Sequence, residues 1–241
     1  METYLWITGV WGVYLALAVF IAGMGWRIYQ WATTPKSPVK LGMFPKPATK
    51  GGRFVKMLKD TFIAPHSARV APIMWIFAFA FHVAALGAFI GHGRMIAEFP
   101  ILPELLGEEG MNAFAGIAGS TAGTIMLAGV LFWIARRTFG PYKRLSVPED
   151  YLLLFLLFGV IVMGDHLRFV YGDIVHADTY REWFGSLLAF KPALPEKVLQ
   201  GNIGWSLGSH MLFTDLFLLY FPFSKLVHTI GSFSSNLVRS E

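Results

Sequence analysis

The strongest constraint on this chain is a long apolar run at 201–234 that carries His210 and His228, eighteen residues apart. At about 100° per residue, that spacing is five whole turns, so one uninterrupted helix places both imidazoles on the same face, about 27 Å apart. The hydrocarbon core of a bilayer is about 30 Å thick. The run therefore predicts a spanning helix with one histidine near each membrane surface.

A second apolar run, at 71–94, contains His82 and His92, ten residues apart. Their spacing corresponds to about 15 Å of helical rise, so these two histidines also lie at two depths. Antiparallel packing of the two helices pairs His82 with His228 and His92 with His210. The sequence therefore predicts two histidine pairs, one above the other.

The composition indicates an integral membrane protein. The chain has 241 residues, of which 55% are hydrophobic and 15% charged, and its mean hydropathy is +0.53, which is too apolar for an ordinary soluble domain. It contains no cysteine, which excludes thiolate-ligated iron–sulfur clusters, disulfides and c-type haem. Any haem must be bound non-covalently, and any iron–sulfur relay must belong to a partner.

The fold class predicted from the apolar segments is a single all-α membrane domain with five transmembrane helices. By length and hydropathy, the helices lie at about 4–28, 71–94, 112–135, 149–170 and 201–234.

The connection at 31–70 is basic, and within it 52–63 reads as a short interfacial helix. It is either a lipid-facing inside loop or a docking surface for a cytoplasmic subunit.

The positive charge predicts the orientation of the bundle. Fifteen of the twenty Lys and Arg residues fall on one side of the five-helix arrangement, so that side is cytoplasmic. The amino end is then outside the cytoplasmic membrane and the carboxyl end inside. In this orientation His82 and His228 form an inner pair, and His92 and His210 form an outer pair.

Two neutral histidines facing each other across a plane are an axial ligand set for haem iron. Zinc needs further ligands at the same depth, and only Asp215 is available in the core. Gly87 and Gly91 leave space for a macrocycle, although close helix packing without a cofactor explains the same glycines. Four imidazoles in lipid each need a partner, and two b haems satisfy all four. The sequence therefore predicts one haem b at each pair.

The block from His210 through LFLLYFPFSKLVH resembles the last helix of the gamma subunit of respiratory nitrate reductases, and the histidines of 71–94 match the second helix of that family. The heterodisulfide-reductase-like membrane subunits are relatives, and the long basic connection favours that branch. The resemblance implies a di-haem cytochrome b that oxidises menaquinol or ubiquinol and passes electrons to a cytoplasmic iron–sulfur subunit. That partner is heterodisulfide-reductase-like or nitrate-reductase-beta-like, and no nucleic-acid partner is expected.

Asp165, His166 and Arg168 lie together at the outer end of the fourth predicted helix. They form either an interfacial hydrogen-bonded cap or a pocket for haem propionates and quinol. In the second case Asp165 and His166 accept the protons of the quinol. Arg168 and Arg94 then hold propionates or orient the carboxylate, and Glu109 is a second-rank candidate.

Asp215 stands five residues after His210, about 140° around the helix. We expect its carboxyl group to contact the third or fourth predicted helix, and a role in a proton path is the alternative. Two other functions stay open from the sequence. The first is a haem-free membrane anchor of a redox complex, in which the histidines are structural, and the second is a small proton-coupled transporter, in which Asp215 and the histidines relay protons.

Overall fold

The computed structural model describes residues 1–35, 47–172, 174 and 176–240, with the side chains of 237–240 outside the described set. This part of the chain is helical and contains no β-strand. Its helices are α1 (Glu2–Thr33, with a π-helical turn at Ile7–Trp11), α2 (Lys50–Phe62), α3 (Pro65–Val70), α4 (Pro72–His92), α5 (Leu102–Phe139), α6 (Pro148–Tyr171), α7 (Ala177–Leu188), α8 (Glu196–Leu199), α9 (Ile203–Tyr220) and α10 (His228–Ser240).

Four helices, α1, α4, α5 and α6, are long and apolar enough to cross a membrane, and α9 with α10 makes a fifth span if that bent pair counts as one. Large apolar side chains such as Phe89, Ile117 and Ile21 point outward from these helices, as expected of a surface that faces hydrocarbon. The molecule is therefore an all-helical, multi-pass membrane protein.

The helix boundaries agree with the sequence prediction for α4 and α6, both of which begin at a proline, a residue well suited to the first helical turn. The predicted interfacial helix at 52–63 is α2. By contrast, α5 begins ten residues before the predicted 112 and is kinked at Gly107, whose φ of 68° is a left-handed conformation that glycine adopts easily. Residues 36–46 of the predicted basic connection, including Lys36, Lys40 and Lys46, lie outside the described residues.

The prediction of one continuous helix over 201–234 is wrong. α9 ends at Tyr220 and α10 begins at His228, and the two parts of the span are bent by 74°. Pro222 explains the break, because proline has no backbone N–H and its ring collides with the preceding turn. His210 and His228 therefore do not share one helical face, and the 27 Å estimate for their separation does not apply.

The long helices form an open arc in the order α4, α5, α6, α9, α1, in which each helix packs on the next. Val130 of α5 packs with Leu154 and Ile161 of α6 in a buried cluster, and Leu5 of α1 packs with Leu207 of α9 in another. Within the described residues, α4 and α9 do not pack closely against each other. The two helices that bear His82, His92 and His210 thus face each other across a cleft.

Short helices lie at the two ends of the bundle, measured along the axes of the long helices. α7 packs its buried Trp183 against Val10 of α1, and its Arg181 donates a hydrogen bond from Nε to the Arg94 carbonyl oxygen at 3.0 Å. At the other end, α10 packs on α2. α7 therefore lies at the end of the cleft near His92, and the α10–α2 pair lies at the end near His228.

Candidate functional site

His92 and His210 lie opposite each other near the α7 end of the cleft. Their ring centroids are 6.4 Å apart, and their planes are inclined by 18°. The Nδ1 atom of His92 bonds to the Ala88 carbonyl oxygen at 2.7 Å. The Nδ1 atom of His210 bonds to the Val160 carbonyl oxygen of α6 at 3.0 Å. The two helices α4 and α6 therefore set the orientation of the two rings.

His82 and His228 form the second pair, near the α10 end of the cleft. Their ring centroids are 6.0 Å apart, with the planes inclined by 80°. The Nδ1 atom of His82 bonds to the Ala78 carbonyl oxygen at 2.7 Å, and that of His228 bonds to the Lys225 carbonyl oxygen at 2.9 Å. The structure thus brings together the same two pairs that the sequence predicted.

All four imidazoles share one hydrogen-bonding pattern. A carbonyl oxygen only accepts, so each Nδ1 must carry the proton and donate it. A proton held on Nδ1 makes Nε2 the nitrogen that can offer a lone pair to a metal. This is the arrangement found in metal-ligating histidines, whose other ring nitrogen is held by an outer partner. Each pair therefore offers two Nε2 lone pairs to a metal ion.

The separation of the rings fits an iron atom between them. A metal–imidazole bond of about 2 Å on each side, extended to the ring centres, places two axial imidazoles about 6.3 Å apart from centroid to centroid. The observed separations are 6.0 Å and 6.4 Å. The described residues contain no group of three or more His, Cys, Asp or Glu suited to a metal ion. A two-ligand axial site fits this donor set better than a tetrahedral zinc site does.

The histidine-bearing helix α4 is open on the side of three of the four imidazoles. His82, His92 and His228 are exposed, although they belong to an apolar bundle. A Cβ atom added at Gly87 or Gly91 would meet no atom within 4 Å, so these two glycines do not serve a close helix contact. The open side of α4 is therefore compatible with a large planar group.

Sequence reasoning missed one residue that positions His210. A Cβ atom at Gly164 of α6 would lie 3.1 Å from Cε1 of His210, which is closer than a side chain tolerates without displacing the ring. The Val160 carbonyl that binds this ring lies one turn earlier on the same helix. The glycine is visible in the sequence, but its partner is 46 positions away and can be identified only from the packing of α6 on α9.

The candidate quinol residues of α6 contact two different helices. Asp165 packs against Gly123 of α5, and Arg168 lies along α5 near Gly119. His166 faces α9, where its Nδ1 is 3.0 Å from the hydroxyl oxygen of Ser206. The difference follows from helix geometry, because successive residues diverge by about 100° around the axis.

Glu109, the second-rank candidate, is exposed near the start of α5.

Arg94 is buried, and its guanidinium group binds Glu98 in a bidentate ion pair, with distances of 2.7 Å and 2.8 Å. Arg181 of α7 donates to the same carboxylate at 2.9 Å. The hydrogen bond from Arg94 holds the pKa of Glu98 below its usual value of 4.5. The carboxylate that Arg94 orients is thus Glu98, and this cluster ties α7 to the end of α4 beside His92.

The expectation that Asp215 contacts the third or fourth predicted helix is wrong. Its buried carboxyl group packs against Gly12 of α1, where a Cβ atom would collide with it. The reason is that α9 packs on α1 as well as on α6, and the rotation from His210 turns Asp215 toward α1. Gly12 follows directly on the π-helical turn Ile7–Trp11.

An all-helical membrane bundle with two facing histidine pairs is the arrangement expected of a small membrane cytochrome b. The sequence profile of the nitrate reductase gamma subunit family matches residues 71–240, and the chain belongs to that family.

Three curated relatives extend the comparison. The chain is 29% identical to the Hdr-like menaquinol oxidoreductase cytochrome b-like subunit of Archaeoglobus fulgidus, over 95% of this chain and 78% of the relative. It is 26% identical to the protein of the same description from Archaeoglobus profundus, over 90% and 74%. It is also 26% identical to the respiratory nitrate reductase 1 gamma chain of Escherichia coli, over 61% and 67%. These relatives are subunits of oxidoreductase complexes.

Proposed function

We propose that the chain is a di-haem cytochrome b membrane subunit that oxidises menaquinol and delivers the electrons to a cytoplasmic iron–sulfur partner. The observation that carries this proposal is the presence of two facing imidazole pairs at spacings of 6.0 Å and 6.4 Å, all with Nδ1 bonded to a carbonyl oxygen. His82 and His228 hold one haem, and His92 and His210 hold the other. Haem b bound at both pairs supplies one-electron carriers at two depths of the bundle.

The choice of menaquinol and of the partner rests on the relatives. The two archaeal proteins, whose names refer to an Hdr-like menaquinol oxidoreductase, match nearly the whole chain, whereas the nitrate reductase gamma chain matches less of it. We therefore favour a heterodisulfide-reductase-like iron–sulfur partner over one that resembles the nitrate reductase beta subunit. The absence of cysteine means that this chain contributes no thiolate ligand to the partner's cluster.

The proposed orientation puts the His82–His228 pair on the cytoplasmic side. The basic helix α2 packs on α10, which begins with His228, and Arg137 and Lys225 lie at the same end of the bundle. Acidic residues such as Glu108 and Glu109 lie at the opposite end, near the start of α5. This asymmetry supports a cytoplasmic carboxyl end and an outer amino end in the cytoplasmic membrane.

We place quinol oxidation beside the His92–His210 pair. Asp165 and His166 directly follow Gly164, on which the His210 ring packs, so both residues belong to the helical turn that the ring contacts. His166 accepts one proton on its imidazole, and the half-buried Asp165 accepts the other on its carboxylate. Because both groups lie toward the outer face, the protons leave on that side.

A reduction assay tests this function. The purified chain is mixed with a reduced menaquinone analogue, and the absorbance of haem b is followed in the visible region. We expect the analogue to reduce the chain and a quinone-site inhibitor to block that reduction. If dithionite reduces the haem but the quinol analogue does not, the chain is a cytochrome without a quinol site.

A further inference from the structure

A buried ion cluster lies at the His82–His228 end of the bundle. Asp150, in the first turn of α6, is 4% exposed. Its Oδ2 atom accepts a hydrogen bond from Arg137 at 2.7 Å and another from the backbone N–H of Val147 at 3.1 Å. Its Oδ1 atom accepts one from the ammonium group of Lys225 at 2.7 Å. A carboxylate removed from solvent is thus satisfied by two cations and a backbone donor.

Lys225 belongs to the broken part of the last span and has two partners. Its side chain binds Asp150, while its backbone carbonyl oxygen accepts the hydrogen bond from Nδ1 of His228. One residue therefore connects the carboxylate to the imidazole. The Lys225 side chain is more than half exposed, so the ion pair adds little to the stability, and we assign it a role in positioning.

The other three imidazoles donate hydrogen bonds from Nδ1 to carbonyl oxygens of regular helices. His82 and His92 bond to residues one turn earlier in α4, and His210 bonds to the interior of α6. The carbonyl that holds His228 instead belongs to a 3₁₀ turn, Lys225–Val227, which follows the break at Pro222. Regular helical hydrogen bonds do not fix this turn to α9.

Hydrogen bonds that involve side chains hold this turn in place. Arg27 of α1 donates from Nε to the Pro222 carbonyl oxygen at 2.9 Å. The buried Ser224 accepts a hydrogen bond from the Leu226 N–H at 3.1 Å. Lys225 is bound by Asp150 of α6. Of these side-chain contacts, the last one is made by the residue whose carbonyl binds the imidazole of His228, and that carbonyl also accepts the backbone N–H of His228.

We propose that Asp150 is a positioning residue for His228. By anchoring Lys225, it holds the carbonyl group that orients the imidazole, and so it sets the angle at which Nε2 faces the plane between His228 and His82. This inference rests on the proposed function, in which that pair holds a haem. Asp150 itself contacts neither the imidazole nor the haem, and it acts through Lys225.

The test uses Asp150→Asn in the haem-loaded chain, because this substitution preserves the size of the side chain and removes its charge. We expect the electron paramagnetic resonance signal of the His82–His228 haem to change and its midpoint potential to shift. We also expect that haem to be retained less tightly, by at most the about 10- to 100-fold that is typical when the direct outer partner of a metal ligand is lost. The signal of the His92–His210 haem in the same molecule should not change, which shows that the bundle is folded.

Glu98→Gln is the matched control. Glu98 also binds two cationic side chains, Arg94 and Arg181, but at the opposite end of the cleft. Its substitution should leave the signal of the His82–His228 haem as in the wild type. A change of that signal as large as the one in Asp150→Asn would contradict a specific link from Asp150 to His228.

A second variant, Lys225→Met, removes the same ion pair and leaves Arg137 bound to Asp150. It should reproduce the spectral change, and the double variant should be no worse than the more affected single variant, because both act through one link. If Asp150→Asn does not fold, Lys225→Met decides the question. Unchanged spectra and potentials in a chain that holds both haems overturn the positioning role alone. A wild-type chain without haem b overturns the proposed function and the positioning role together.

Discussion

The imidazole rings of His92 and His210 are nearly parallel, with planes inclined by 18°, whereas those of His82 and His228 are inclined by 80°. The angle between two axial ligand planes controls the splitting of the iron d orbitals, because parallel rings interact with the same orbital and perpendicular rings with two different ones. We therefore expect two distinct low-spin ferric signals in the electron paramagnetic resonance spectrum. The perpendicular pair should give the more anisotropic signal. Two superimposed, identical signals would contradict the assigned ring geometry.

Quinol oxidation should depend on the two α6 residues beside His210. In an Asp165→Asn, His166→Ala double variant, loss of the proton acceptors should lower turnover about 10²- to 10⁴-fold, with both haems retained. Steady-state oxidation of a menaquinol analogue, together with a haem spectrum of the same sample, checks this. The exposed Glu109 provides the comparison, since Glu109→Gln should have a smaller effect. Wild-type turnover in the double variant would show that the quinol site lies elsewhere in the bundle.

Asp215 should have a structural role at the α9–α1 contact. We expect Asp215→Asn to retain quinol oxidation and both haems, because the amide has nearly the same shape. Loss of turnover in a variant with intact haems would assign Asp215 to a proton path.

A substitution at Gly12 tests the same contact from the α1 side. Gly12→Ala should destabilise the chain by about 1–3 kcal/mol, because its Cβ atom collides with the Asp215 carboxyl group. Gly25→Ala is the control in the same helix, since a Cβ atom there meets nothing within 4 Å. Thermal unfolding in detergent should separate the two alanine variants, and equal midpoints would argue against this packing.

The cluster of Glu98 with Arg94 and Arg181 should stabilise the folded chain in a pH-dependent way. The hydrogen bond from Arg94 lowers the pKa of Glu98 in the folded state. The resulting stability is fully present above the unfolded value near 4.5 and is lost as the pH falls through the lower, folded value. The difference in unfolding temperature between the wild type and Glu98→Gln should therefore be constant near neutral pH and shrink in acid. A difference that stays constant into the acid range would contradict the assignment.

The sequence predicts the histidine pairs because the antiparallel order of the two histidine-bearing segments is enough to set them, even though the last segment is broken. It does not predict the break in the last span, since the apolar character of the run continues on both sides of Pro222. The pairing of Asp150 with Lys225 joins residues 75 positions apart, and the contact of Asp215 with Gly12 joins α9 to α1. Such contacts depend on which helices pack side by side, which periodicity does not specify.

Each histidine pair should hold one haem b, and the haem content of the purified chain measures this. Pyridine haemochrome analysis against protein concentration should give two haems b per chain. His82→Ala and His210→Ala should each give one, while His66→Ala, which alters a histidine of α3, should still give two. A wild-type chain without haem b, or a His82→Ala variant that keeps both haems, would contradict the account.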